Sequence, residues 1–264
     1  MANETPFNDM FQWYEKLYPA VAISKIYSDY CIKVHGMDLS QQGFYTMSQI
    51  DFMLSKLNIN SSKNILEIGC GLGKLAEYIF DIYQSFVLGI DYSPAAIKLA
   101  KERTKEKLGK LTFEIGNINE LGFLKGTFDI ILSLDCIFFA EDLTATLKKI
   151  NSLLKPNGKL VIIYGVYRFD KNEPIEVLYS NSSPLANAFN NAGYFYEVFD
   201  FTEELYKHQL LKRKTVTELK QKFIDEKTFF LYEYLYRESI DLTQNLEDFK
   251  NFCSYYLYIY EKKT

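Results

Sequence analysis

The sequence is poor in the residues that bind metal ions. Its four cysteines are scattered along the 264 residues without a Cys-x-x-Cys pair. Only two histidines, His35 and His208, are available to join them in a metal site. Because zinc sites use closely spaced pairs of such ligands, we predict that the protein has no metal site and that its thiols are reduced.

Long apolar runs and an excess of basic charge are also absent. No uncharged apolar run reaches about 18 residues, the length that a membrane-spanning helix needs. The first residues, MANETPFNDM, show neither the basic start nor the apolar centre of a signal peptide. The formal net charge of −4 gives no electrostatic reason to expect a nucleic acid or an anionic membrane as a partner. These observations predict a cytoplasmic protein that binds neither.

Short apolar segments alternate with helical patterns through the middle of the chain. The strand-like runs are NILEIG, SFVLGID, LTFEIG and FDIILSL, and helical patterns follow the first, the second and the fourth of them. Such alternation predicts an α/β fold, in which a doubly wound parallel sheet has helices on both faces. After a turn at KPNG, the runs KLVIIYG and YFYEVFDFT follow as a fifth and a sixth strand, and SYYLYIYEK closes the chain as a seventh.

Two aromatic-rich segments with helical spacing flank this core. We interpret residues 1–60 as an N-terminal helical cap segment and residues 61–202 as the α/β core. Residues 203–250 are interpreted as a helical cap insertion, and residues 251–264 as the final strand of the core. We expect the two helical segments to fold together over the sheet.

The segment ILEIGCGLGK places Gly69, Gly71 and Gly73 after a predicted strand that carries Glu67. A dinucleotide-binding fingerprint needs its third glycine at the sixth position, where this sequence has Lys74. A P-loop needs Gly-Lys followed by Ser or Thr, and here a leucine follows. The remaining pattern, acid-x-Gly-x-Gly-x-Gly at a strand-to-helix turn, fits a nucleoside ligand without a pyrophosphate.

Two later polar positions fit the same ligand. Asp91 ends the predicted second strand, where a carboxylate can accept hydrogen bonds from both hydroxyls of a ribose. Asn117, in the sequence GNI, ends the third strand, where a side-chain amide can reach the edge of an adenine. Because open α/β sheets bind ligands at the carboxyl ends of their strands, we expect these positions to converge there.

Five motifs in the same order carry a resemblance to a known family: LEIGCGLG, LGIDYS, GNINEL, FDIILSLDCIFFAEDL and LKPNGKLVII. Residues 64 to about 165 resemble the core of the class I S-adenosylmethionine-dependent methyltransferases. The resemblance implies a Rossmann-like sheet of seven strands, the last one antiparallel, and S-adenosyl-L-methionine as cofactor. The two ends of the chain resemble instead the variable caps by which members of the family select substrates.

The resemblance also assigns roles to residues. It implies that Glu67 and the glycine loop meet the methionine portion, Asp91 the ribose, and Asn117 with Ile118 the adenine. The adenine position is often Asp in the family, and an amide both donates and accepts, so recognition of the adenine amino group should survive with altered geometry. The predicted cofactor-binding residues are Glu67, Gly69, Gly71, Gly73, Asp91, Tyr92, Asn117, Ile118 and Leu134.

Two residues are candidates for a general base. Asp135 follows the predicted fourth strand and is expected to face the crevice, beside the apolar sequence CIFF. His35 precedes Gly36, so it either ends a helix through that glycine or acts as a base, being the only histidine of the N-terminal segment. Tyr45 and Tyr167 are candidates for the wall of a pocket that takes a flat or cationic substrate.

The sequence therefore predicts a methyltransferase that acts on nitrogen, oxygen or carbon of a small molecule enclosed under a helical cap. Two alternatives stay open, namely an RNA or protein methyltransferase and an S-adenosylmethionine-binding protein without catalytic activity. The acidic charge balance and the lack of a basic patch with interleaved aromatics argue against RNA. The acceptor and the oligomeric state are not predicted.

Overall fold

The computed structural model of the protein describes residues 6–107 and 109–263. Within them, seven strands form one sheet in the order β3-β2-β1-β4-β5-β7-β6. All neighbouring pairs are parallel except the two that involve β7, so the last strand is antiparallel as predicted. The strands are β1 (Asn64–Ile68), β2 (Phe86–Asp91), β3 (Leu111–Ile115), β4 (Phe128–Leu134), β5 (Leu154–Tyr167), β6 (Tyr196–Asp200) and β7 (Cys253–Glu261).

Ten α-helices lie within the described residues. They are α1 (Pro6–Ile23), α2 (Lys25–His35), α3 (Met47–Ser55), α4 (Lys74–Tyr83), α5 (Pro94–Arg103), α6 (Leu143–Leu153), α7 (Pro184–Ala192), α8 (Thr202–Asp225), α9 (Phe229–Arg237) and α10 (Leu246–Lys250). Local signals set several of their ends. The Ser93 hydroxyl accepts a 3.1 Å hydrogen bond from the Ala96 amide, and Pro94 takes the first position of α5. Gly193 ends α7 with a φ of 73°.

The buried central strands separate two apolar clusters, one on each face of the sheet. In β4 the neighbours Ile131 and Leu132 are both fully buried and belong to different clusters. Successive side chains of a strand point to opposite faces, so an uninterrupted apolar run is what a strand covered on both sides requires. This is the doubly wound arrangement that the sequence predicts.

A third apolar cluster lies between helices. It joins Leu17 of α1, Tyr30 of α2, Ala96 of α5, Val216 of α8 and Leu231 of α9. The first and last helical segments of the chain therefore pack against each other and against a helix of the core. No helix in residues 6–107 or 109–263 is long and apolar enough to span a membrane.

The structure differs from the sequence prediction at the start of β5. The predicted turn at KPNG lies inside the strand, which pairs Phe128 with Leu154 and then Ile130 with Lys159. The residues of the turn, among them Asn157 with a φ of 60°, lie where the register shifts and are not paired with β4. The sequence shows the turn residues, but only the pairing with β4 shows that the strand resumes its direction afterwards.

Candidate functional site

A cavity of about 390 Å³ opens at the carboxyl ends of the parallel strands. Nine of the predicted site residues line it together, namely Glu67, Gly69, Gly71, Asp91, Tyr92, Asn117, Ile118, Leu134 and Asp135. They come from the ends of β1, β2, β3 and β4 and from the turns that follow. The topology therefore assembles most of the candidate site that the motifs predict.

Gly73 does not reach the cavity wall. It precedes α4 with a φ of 69°, and a Cβ there would overlap the ring of Phe113. Close packing against β3 therefore explains this glycine without any contact to a ligand. Its role as a cofactor-binding residue stays a prediction.

The glycine loop uses its backbone donors within the protein. The amides of Gly69 and Cys70 donate to the Ile90 carbonyl at 2.8 and 2.9 Å, and the Gly71 amide donates to Oδ2 of Asp91 at 2.8 Å. A phosphate-binding loop instead directs such amides at the anion. The loop is therefore not built as an anion cradle, in agreement with the exclusion of the P-loop and dinucleotide patterns.

Gly71 has a conformation that other residues rarely adopt. Its φ is +50°, and a Cβ at this position would lie 3.1 Å from the hydroxyl oxygen of Tyr18 in α1. Both the backbone conformation and the close side chain thus favour glycine. The bare backbone at Gly71 forms part of the cavity wall.

Glu67 brings a buried carboxylate to the cavity. The residue is 4% exposed, and its Oε2 has no hydrogen-bond partner among the described residues. Burial raises the pKa of Glu67 to about 8, against the effect of a hydrogen bond with the backbone of Ala76. A cationic group in the cavity would supply the missing partner and favour the charged form of this side chain.

Asp91 is held in a fixed orientation at the end of β2. Its Oδ1 accepts a hydrogen bond from the Ser93 amide at 2.9 Å, and its Oδ2 accepts from the Gly71 amide. Burial raises the pKa of Asp91 to about 6, although these two bonds oppose the shift. The carboxylate thus links β2 to the glycine loop and still presents its remaining lone pairs to the cavity.

Asn117 is similarly ordered at the end of β3. Its Oδ1 accepts a 3.0 Å hydrogen bond from the Asn119 amide, which starts a short 3₁₀ helix containing the buried Ile118. Because Oδ1 of Asn117 already accepts this hydrogen bond, we expect the Nδ2 group to be the part of the side chain that donates a hydrogen bond to a ligand. Ile118 adds an apolar surface beside it.

Asp135 lies beyond β4 in a left-handed backbone conformation, with a φ of +48°. Its Oδ2 accepts a 2.7 Å hydrogen bond from the Phe44 amide and a 2.6 Å bond from the Tyr255 hydroxyl. Burial raises the pKa of Asp135 to about 6, the two bonds lower it, and the charge of Glu238 raises it. With this pKa, the carboxyl group is mostly ionised at neutral pH, as a general base has to be.

Glu238 is a site residue that the sequence prediction missed. It follows α9 and lines the cavity, and its Oε2 accepts a 3.0 Å hydrogen bond from the ammonium group of Lys212 in α8. Lys212 is 2% exposed and does not line the cavity. Nothing in the local sequence distinguishes Glu238 from the exposed acids nearby, because its position depends on how α8 and α9 pack together.

His35 lies apart from the other predicted site residues. It is buried, its Nδ1 is 3.0 Å from the Tyr45 carbonyl oxygen, and its ring centroid is 4.8 Å from that of His208. Burial lowers the pKa of His35 to about 3. Gly36 follows it with a φ of 93° and ends α2, as the structural alternative predicts. His35 is not one of the described residues that line the cavity, so a role as general base stays a prediction.

Aromatic side chains form much of the remaining wall. Tyr45 and Tyr167, the two candidates from the sequence, line the cavity together with Phe44. Tyr14 and Tyr18 of α1, whose rings stack with centroids 5.4 Å apart, contribute from the N-terminal helix. Their contribution could not be read from the sequence, because aromatics at helical spacing in α1 also indicate core packing.

Comparisons with known proteins agree with this architecture. The family model described as a methyltransferase domain matches residues 59–225. The phosphoethanolamine N-methyltransferase 1 of Triticum aestivum is 32% identical over 124 residues, which are 47% of this chain and 24% of the wheat protein. The chain thus spans about a quarter of the length of that relative.

Solved structures of methyltransferases share the fold. The phosphoethanolamine N-methyltransferase 2 of Haemonchus contortus, bound to phosphomonomethylethanolamine and S-adenosylhomocysteine, matches 95% of this chain and 60% of its own, with a TM-score of 0.73 and 18% identity. The geranyl diphosphate C-methyltransferase of Streptomyces coelicolor A3(2) matches 99% and 100% with a TM-score of 0.68 and 15% identity. The family model covers more than half of the chain, and the sheet order agrees with it: the chain belongs to the class I S-adenosylmethionine-dependent methyltransferases.

Proposed function

We propose that the protein transfers a methyl group from S-adenosylmethionine to a small-molecule acceptor in the cavity at the strand ends. The observation that carries the proposal is the buried Oε2 of Glu67, which has no hydrogen-bond partner in residues 10–107 and 109–263, in a residue that lines the same cavity as Asp91 and Asn117. S-adenosylmethionine combines an amino acid ammonium group, a ribose and an adenine. The cavity offers a carboxylate for the first, a second carboxylate for the ribose hydroxyls and an amide for the base.

Each part of the cofactor has residues suited to hold it. Glu67 would take the ammonium group, beside the bare backbone of Gly69 and Gly71. Asp91 would accept hydrogen bonds from the ribose hydroxyls, as charge-assisted bonds of the stronger kind. The adenine would be held by Asn117 and Ile118, with Tyr92 and Leu134 as further apolar contacts.

When bound, S-adenosylmethionine would supply an electrophilic methyl group on its sulfonium. The residues of the protein then mainly have to position the acceptor, enclose it and remove a proton from it. Asp135, whose carboxylate is held by hydrogen bonds from Phe44 and Tyr255, would accept a proton from the reacting atom of the acceptor. The aromatic wall excludes water from the same space. We infer that orienting the acceptor against the methyl group supplies most of the rate acceleration.

The helical segments at both ends act in this proposal as the cap predicted for residues 1–60 and 203–250. Tyr14 and Tyr18 of α1, the loop around Gly43 and Glu238 after α9 line the cavity from outside the sheet. A substrate would therefore be selected by these segments rather than by the strand ends. The relatives named above act on small molecules, which supports a small acceptor here, and the cytoplasmic location remains part of the same proposal.

The test combines binding with turnover. Calorimetric titration with S-adenosylhomocysteine measures the cofactor site, and incubation with S-adenosylmethionine and pooled metabolites measures release of S-adenosylhomocysteine. We expect binding and turnover with a fraction of the small-molecule pool. Binding without turnover on any pool, on RNA or on proteins would indicate a non-catalytic binding protein, whereas turnover with RNA or protein alone would replace the small acceptor.

A further inference from the structure

The charged residues that line the cavity are all acidic among the described residues. They are Glu67, Asp91, Asp135 and Glu238, and no lysine, arginine or histidine of residues 10–107 and 109–263 contributes to the wall. The first two lie at the ends of β1 and β2, where the proposed function places the cofactor. The other two are left for the acceptor.

Asp135 and Glu238 both line the cavity, and they are close enough for the charge of Glu238 to raise the pKa of Asp135. Asp135 follows β4, and Tyr255 holds it from β7, where that residue pairs with Gly165 of β5. Gly165 and Tyr167, near the end of β5, line the same region. We call the part of the cavity lined by Asp135, Gly165 and Tyr167 the acceptor half. It lies at the ends of β4 and β5, and the carboxylate of Asp135 forms part of its wall.

A buried cation, Lys212, lies behind this part of the wall and does not line the cavity. Lys212 is bonded to Glu238, and its ammonium nitrogen lies 4.9 Å from the ring centroid of Phe44. It pairs with Glu238 from behind the wall, and among the described residues Asp135 accepts its hydrogen bonds from the neutral donors of Phe44 and Tyr255. A phosphate entering this space would meet acidic side chains and, in the described part of the wall, no lysine, arginine or histidine.

Aromatic rings complete the same region. Phe44, Tyr45 and Tyr167 all line the cavity near the loop that carries the amide bonded to Asp135. Aromatic faces attract cations, and the attraction strengthens where water is excluded. Carboxylates surrounded by aromatic rings are therefore suited to an ammonium group rather than to an anion or a neutral alcohol.

We propose that the acceptor is a compound whose reacting group is a primary or secondary amine and that carries no phosphate, an inference that rests on the proposed function. The amine enters as an ammonium ion between Asp135 and Glu238. Asp135 takes one proton and frees the nitrogen lone pair. The new nitrogen–carbon bond forms as the carbon–sulfur bond breaks, its electron pair stays on sulfur, and the proton on Asp135 passes to water.

The test measures binding to the complex with S-adenosylhomocysteine, so that it does not depend on turnover. The probes are 2-phenylethylamine, its neutral analogue 2-phenylethanol, phosphoethanolamine, and a panel of other primary and secondary amines without phosphate, all titrated by calorimetry. We expect members of the amine panel to bind at least about tenfold more tightly than their alcohol analogues. Phosphoethanolamine should show no measurable binding.

A charge variant checks that the wall causes this preference. Glu238→Gln combined with Lys212→Met removes both partners of the ion pair, so that the buried Lys212 is not left without its partner. It should reduce the amine-to-alcohol ratio by about tenfold, whereas Glu233→Gln, on the exposed side of α9, should leave it unchanged.

The outcomes separate this inference from the proposed function. Failure of S-adenosylhomocysteine to bind contradicts the proposed function itself. If it binds and no amine of the panel binds, or if phosphoethanolamine or the alcohols bind as well as the amines, the acceptor inference alone is overturned. An unchanged amine preference in the double variant overturns the assignment to Glu238.

Discussion

The hydroxyl of Tyr255 donates a 2.6 Å hydrogen bond to Oδ2 of Asp135, across 120 residues of sequence. The antiparallel last strand makes this contact possible, because its first residues lie beside the carboxyl end of β5. The bond fixes the orientation of the carboxylate and favours its charged form. The last strand thus helps to define the chemistry of the cavity as well as completing the sheet.

Tyr255→Phe should therefore shift the pH dependence of turnover. Loss of the donor raises the pKa of Asp135 above its value of about 6, so the acidic limb of the rate profile should move to higher pH. Tyr256→Phe is the matched control, since its hydroxyl donates a 2.6 Å bond to the Leu178 carbonyl in the other apolar cluster. Superimposable profiles for wild type and Tyr255→Phe would remove Tyr255 from the mechanism.

Asp135→Asn tests the proton acceptor directly. The substitution keeps the shape and removes the charge, so turnover should fall by about 10² or more while affinity for S-adenosylhomocysteine changes little. Asp129→Asn serves as the control, because Asp129 lies near the start of β4, the strand that precedes Asp135, and pairs with Lys63 and Lys155. Full activity of Asp135→Asn on its own acceptor would reduce Asp135 to a wall of the cavity.

Gly71→Val should abolish cofactor binding. The new side chain would approach Tyr18 in the cavity wall, and its backbone would be strained by the positive φ. Gly193→Val carries a comparable strain, with a φ of +73° and no atom within 4 Å of the added Cβ. Both variants should lose about 1–3 kcal/mol in unfolding free energy, and only the first should lose binding in calorimetry. Retained affinity in Gly71→Val would place the cofactor elsewhere.

The raised pKa of Glu67 predicts that the stability of the ligand-free protein depends on pH. Its folded pKa of about 8 lies above the ordinary value of 4.5. Between these two values the unfolded chain has released a proton that the folded protein keeps. The contribution of Glu67 to stability is therefore complete below pH 4.5 and is lost as the pH rises towards 8, with a slope of at most about 1.4 kcal/mol per pH unit.

Urea unfolding at a series of pH values measures this contribution. Glu67→Gln should remove the slope assigned to Glu67, whereas Glu77→Gln, at an ion pair with Arg103 on the surface of α4, should not remove it. If the unfolding free energy of wild type and of Glu67→Gln had the same slope against pH, Glu67 would be ionised in the ligand-free protein.

Much of the fold could be predicted because its signals are local. The run around Ile131 and Leu132 requires burial on both faces, and Ser93 with Pro94 fixes the start of α5. Glu67 in β1 and the glycines that follow the strand likewise predict a ligand site at the strand ends. In each case neighbouring residues determine the conformation, and the parallel sheet then brings the strand ends together.

The acceptor half of the site could not be predicted in the same way. Glu238 reaches the cavity only because α9 packs against α8, where Lys212 fixes its carboxylate. Histidine is a common general base, yet His35 does not line the cavity. Its Nδ1 lies 3.0 Å from the backbone carbonyl oxygen of Tyr45. These positions depend on contacts between segments distant in the sequence, which no local pattern records.

Calorimetric titration of S-adenosylhomocysteine into wild type and Asp91→Ala tests whether the cofactor binds at the ends of the parallel strands. The substitution removes a carboxylate that holds the Gly71 amide and is assigned to the ribose hydroxyls, so affinity should fall by at least about tenfold. Asp200→Ala, which also removes a carboxylate bonded to a backbone amide at a strand end, should bind like wild type. Equal affinity of Asp91→Ala and wild type, or no binding to wild type, would contradict a cofactor site at the ends of these strands.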